Sequence, residues 1–148
     1  MLTVLDELLT TRAVTSVHYV GYAHEPVLRL LHRHLGTAFS VLDYPDRYNT
    51  GAAFFWDGPD EDDPYPYPGR PDWLNGVLFF QEGGPKKMDL LIWDMPFSHP
   101  GQLAAITERH RPTHLLLVDE ACSEASHPAY SWVIFPTYAL GILKSRNA

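Results

Sequence analysis

The chain is short of what most nucleic-acid and metal proteins depend on. Of its 148 residues only one is cysteine, Cys122, so no intramolecular disulfide can form and no zinc-finger spacing exists. Eleven Lys and Arg face eighteen Asp and Glu, a formal net charge of −7. So few bases argue against grip on a phosphate backbone by bulk electrostatics, and direct nucleic-acid binding is expected to be weak or absent. No apolar run approaches the ~18 residues of a membrane span. The opening MLTVLDELLT lacks a basic start before a long apolar stretch, so no signal peptide is visible and a cytoplasmic location is expected. Glycine is scarce where a phosphate loop needs it: GYAHEP, after the first expected strand, holds Gly21 alone and no lysine, which excludes P-loop hydrolysis.

What is present suffices for one core. Hydrophobic residues make up 45% of the chain and aromatics 13%, enough for a single domain over residues 1–148. The charge is unevenly placed. From Asp57 to Asp72, DGPDEDDPYPYPGRPD holds six acids against Arg70, so −5 of the −7 sits there with five of the thirteen prolines. Proline lacks an amide donor and biases its predecessor away from helix, so residues 57–72 read as an acidic, proline-rich surface loop. The plain reading is a solvated insertion; the sharper one makes Tyr65, Tyr67 and Trp73 a partner-binding surface.

Around the loop, helical and extended patterns alternate. Leu2–Leu9 and His24–Leu35 have helical spacing, the latter stopped at Gly36. Val14–Gly21, Ala38–Asp43 and Gly76–Gln81 read as strands, and Ala52–Trp56 as an extension of the sheet or part of the excursion. Asp89–Trp93 and His114–Val118 are nearly all apolar, as in strands covered on both faces, and Ser131–Phe135 reads as a third of that kind. Between them SHPGQLAAITERH reads as a helix with Ser98 or His99 as N-cap, Pro100 in its first turn and Leu103 and Ile106 inward. Tyr138–Ser145 reads as a short terminal helix. The alternation predicts an α/β fold: a three-layer, Rossmann-like sandwich with a mainly parallel sheet. Ligands in such sheets favour the carboxyl ends of the strands, so the candidate binding crest is Gly21, Asp43, Asp94, Pro96, Phe97, Asp119 and Glu120. Arg29/His32/Arg33/His34 and Arg109/His110/Arg111/His114 form two basic clusters on or beside helices; Arg29, Arg33, Arg109 and Arg111 are the candidate contacts for an acidic partner peptide, against the plainer reading of solvated helix faces.

Three constellations carry chemistry. LLIWDMPF, Leu90 to Phe97, resembles the hydrophobic-DPPF/Y motif of amino-methyltransferases acting on adenine or cytosine, with Met95 at the first proline. The resemblance implies that Asp94 and the following backbone take an exocyclic amine, Phe97 stacks on the base, and Asp43 suits a cofactor ribose. Asp94 and Asp119 are strand-end acids such as metal-dependent phosphoesterases pair, and LLLVDEA resembles the helicase strand end that holds Mg²⁺, but neither pattern is complete. The histidines His18, His24, His32, His34 and His127 have no ligand spacing, and Cys122 and Ser123 lie in no nucleophile motif, so the leading reading needs no metal and no cofactor.

Residues 89–145 as a longer pattern resemble the C-terminal helicase-like module of the single-strand exonuclease RecJ, through Asp94-Met95-Pro96 and Phe135-Pro136-Thr137. That resemblance implies a non-catalytic adaptor in DNA replication or repair that binds another protein, such as a single-strand binding protein. The alternative is an S-adenosylmethionine-dependent methyltransferase built around Asp94–Phe97.

Overall fold

The computed structural model describes residues 1–21, 25–43, 72–80, 84–95 and 101–144. Seven strands there form one sheet: β1 (Val17–Gly21), β2 (Ser40–Asp43), β3 (Leu78–Phe80), β4 (Leu90–Asp94), β5 (His114–Val118), β6 (Tyr130–Ile134) and β7 (Tyr138–Leu143), in spatial order β3-β2-β1-β4-β5-β7-β6. The first five run parallel, while β7 lies antiparallel between β5 and β6. The expected α/β sandwich with a mainly parallel sheet is therefore observed.

The apolar runs explain the layers. Alternate residues of a strand face opposite sides. Tyr19, Val41, Leu90, Ile92, Leu116 and Val118 join one core with Leu5 and Leu9 of α1 (Leu2–Thr10) and Val27, Leu28 and Leu31 of α2 (Glu25–Leu35). Their neighbours Val20, Leu42, Leu91, Trp93, Leu115 and Leu117 join a second core under Leu103 of α3 (Gln102–His110). Both β4 and β5 are thus covered on two faces, as their composition predicts. Gly36 ends α2 at φ +62°, its N–H donating to the carbonyl of His32 at 2.8 Å. Helix α3 starts at Gly101, in the left-handed region at φ +83°, without a side-chain cap; the expected caps Ser98 and His99, and Pro100, lie outside the described residues.

Two expectations fail at the C-terminal end. The predicted helix over Tyr138–Ser145 is strand β7. Pro136 and Thr137 reverse the chain, the Phe135 amide donates to the Tyr138 carbonyl at 2.8 Å, and the Phe135 ring stacks on Tyr138 with centroids 4.4 Å apart. Gly141, unfavourable in a helix interior, lies against Trp132 across the strands, where a Cβ would stand 2.7 Å from the indole. The strand read as fully buried, Ser131–Phe135, is the sheet's edge: Val133 is 50% and Ile134 64% exposed.

Candidate functional site

Strand order turns back at β1. The chain builds outward through β2 and β3 on one side, then returns to place β4 and β5 on the other. Such a reversal opens a crevice at the carboxyl ends of the strands on either side of it. The register sets Gly21, last in β1, level with both Asp43 of β2 and Asp94 of β4. Three of the residues singled out from sequence therefore meet at one crest.

Close packing keeps that crest narrow. A Cβ on Gly21 would lie 2.4 Å from the Asp94 carbonyl oxygen and 2.8 Å from its Cβ, so only glycine lets β1 and β4 finish side by side. The Asp94 carboxylate is oriented from below. Tyr19, fully buried two residues before Gly21 on the same face, donates its phenol to Asp94 Oδ2 at 2.6 Å. Sequence reasoning missed Tyr19 as a site residue. Its partner lies 75 positions away, and only the β1–β4 register brings the two together.

The remaining candidates are dispersed. Asp119 is exposed beyond β5 at φ +53°, its backbone N–H donating to the Thr137 carbonyl at 2.8 Å, so the β6–β7 turn closes over that strand end. Glu120 follows it in a 3₁₀ turn over Asp119–Glu124. Pro96, Phe97, Tyr65 and Tyr67 lie outside the described residues, as does the 57–72 loop up to Asp72. Trp73, half-buried, is held on α2: Arg29 lies over its ring at 4.2 Å and His32 meets it edge-on at 5.5 Å. Arg29 also pairs with Glu25 at 2.9 Å, and Arg111 with Glu108 at 3.0 Å, while Arg33 and Arg109 are exposed near the ends of their helices. Burial, with Asp119 nearby, pushes the Cys122 thiol up, and the thiol points back to the Leu117 carbonyl at 3.6 Å; that is the environment of a packing residue, not a nucleophile.

A second concavity, of about 420 Å³, runs between α3 and the crossover from β5 to β6, over Leu115, Leu103, Thr107 and Trp132. That crossover contains the 3₁₀ turn over Asp119–Glu124, and Ser123 and Glu124 line the concavity. Among the described residues no group of three acids, histidines or cysteines could hold a metal ion, and no helix is long and apolar enough to cross a membrane.

No protein-family profile and no curated relative matches the sequence. Solved structures do match. A methyltransferase from Geobacter sulfurreducens superposes with a TM-score of 0.58 at 12% identity, over 97% of this chain and 78% of that one. The O-methyltransferase TomG from Streptomyces achromogenes, involved in tomaymycin synthesis and solved with S-adenosylmethionine, superposes at 0.51 and 10% identity, over 97% and 79%. The shared feature is the fold. These matches overturn the leading expectation from sequence, a non-catalytic adaptor for DNA replication or repair: the fold superposes on those of two methyltransferases.

Proposed function

We propose that this protein is an S-adenosylmethionine-dependent methyltransferase whose cofactor lies across the carboxyl ends of β1, β2 and β4. The observation that carries the reading is the register that sets Gly21 between Asp43 and Asp94 at the reversal of strand order, in a sheet shared with two methyltransferases. The residues present suit such a ligand. An acid at the end of β2, one strand from the reversal, can accept hydrogen bonds from the two ribose hydroxyls, a role Asp43 has the position to fill. Gly21 leaves the crest bare backbone, over which a ligand can approach closely. When bound, the cofactor supplies an electrophilic methyl group on a sulfonium sulfur. Asp94, held by Tyr19, presents a fixed acceptor beside it, suited to the amino or hydroxyl group of a methyl acceptor.

Calorimetry and thermal unfolding with S-adenosylmethionine and its demethylated product test this directly. A ligand at a hundredfold excess over Kd stabilises by ~2.7 kcal/mol, so the melting temperature is expected to rise by roughly 5–10 °C. Asp43→Ala should lose that rise while melting cooperatively without ligand. Absence of heat and of any shift at millimolar cofactor removes the proposal.

A further inference from the structure

The outer edge of the sheet has a feature that the crest does not explain. In an antiparallel pair alternate residues bond inward. The Phe135 amide donates to the Tyr138 carbonyl and the Lys144 amide to the Ala129 carbonyl, so the odd-numbered positions of β6 turn toward β7. The N–H and C=O of Trp132 and Ile134 therefore face away from the sheet. Exposed edges are ordinarily blunted by charge, proline, a bulge or shortness. Here β6 runs five residues in unbroken register, and Ala129–Leu143 contains no acid or base. Val133, Ile134, Phe135 and Ile142 are four of the six large hydrophobic side chains exposed on the described surface. The opposite edge, β3, is only three residues long.

We propose that β6 pairs antiparallel with β6 of a second copy about a two-fold axis at Val133, joining the two sheets edge to edge. In that register the Trp132 N–H donates to the carbonyl of the partner's Ile134, and the N–H of the partner's Ile134 donates to the Trp132 carbonyl. Symmetry repeats the pair, so every open backbone group of both residues is used. Val133 meets the partner's Val133 as a non-hydrogen-bonded pair, where side chains approach most closely. The self-complementary register selects a second copy as the occupant, and charge does not oppose it here. At −7 the molecules repel, and this hairpin is an uncharged surface on which two copies can meet without opposing like charges. A contact confined to one five-residue strand edge on each copy is smaller than the ~800 Å² per partner of a standard interface, which fits a reversible, concentration-dependent dimer.

Sedimentation of the full chain from low micromolar to several hundred micromolar should show a monomer–dimer equilibrium. Ile134→Pro removes an outward amide while leaving the bonds to β7 intact; losing one hydrogen bond at each of two symmetric positions should weaken the dimer by about tenfold or more, with a cooperative melt retained. Val133→Cys in a Cys122→Ser background should yield a disulfide-linked dimer on mild oxidation, because the opposed Cα atoms fall within disulfide reach, and Ile142→Cys should not. A monomer at every concentration overturns the proposal. So does a dimer indifferent to Ile134→Pro, or one that the Val133→Cys variant fails to cross-link.

Discussion

At Gly21 the missing side chain is first a packing requirement of two strand ends. A methyl group there would meet the Asp94 backbone carbonyl oxygen at 2.4 Å, which is not the far end of a flexible side chain and cannot easily yield. Gly21→Ala is therefore expected to cost about 1–3 kcal/mol in urea unfolding, as overpacking does elsewhere, and to abolish the cofactor-dependent rise in melting temperature. Gly21, Asp43 and Asp94 could be read from sequence because each closes a run of apolar residues, and a strand's last residue is where such sheets bind ligands. Tyr19 could not. Its period marked it as one more inward residue of β1, and nothing local distinguishes a tyrosine filling the core from one whose phenol reaches a carboxylate on the neighbouring strand.

Among the elements, those near the middle of the sheet were legible and the C-terminal pair was not. The runs in β4 and β5 lack polar positions because both faces are covered, and composition alone reports that. In β6 a similar run has a different cause: Val133 and Ile134 are apolar yet exposed, and periodicity cannot separate an uncovered edge from a buried centre. The segment YALGIL satisfies both helical spacing and alternation, and the arbiter is Trp132, which occupies the space above Gly141. Gly141→Ala should accordingly drive the hairpin apart, lowering stability by about 1–3 kcal/mol and altering Trp132 emission, while a helix at that place would have gained from the same change. Urea titration followed by tryptophan fluorescence gives the sign.

At the scale of the whole molecule, the described groups make the fold lose stability on acidification, His18 in one pH window and Asp89 in a lower one. His18 is fully buried, sharing a hydrogen bond with Ser40 Oγ at 2.7 Å, and its pKa falls from 6.5 to about 4 through burial first and the nearby His110 second. The unfolded chain takes up that proton before the folded one, so stability is complete above pH ~6.5, declines toward ~4 and is level below; at ~1.4 kcal/mol per pKa unit the decline is on the order of 3 kcal/mol. Asp89 acts lower. Partial burial works against its charge, but the amides of Thr15 and Ser16 and the Thr15 hydroxyl outweigh burial and hold its carboxyl below the ordinary range. Its contribution persists above that range and vanishes as pH drops through the lowered value. His18→Gln should reduce the difference in urea midpoint between pH ~7 and ~4.5, the remainder coming from His110 and His114, whose pKa values burial also lowers.

Trp93 gives the fold an optical consequence. Its indole is 1% exposed, its N–H has no hydrogen-bond partner, and it occupies the position just before Asp94 in β4. An indole in such dry surroundings emits to the blue of one in water. Trp73 and Trp132 are half-buried, and Trp132 packs only at the margin of the second core, so among the described tryptophans Trp93 is the fully buried one, immediately beneath the crest. Whatever settles over Gly21 and Asp94 can thus be followed by the protein's own light, without a label.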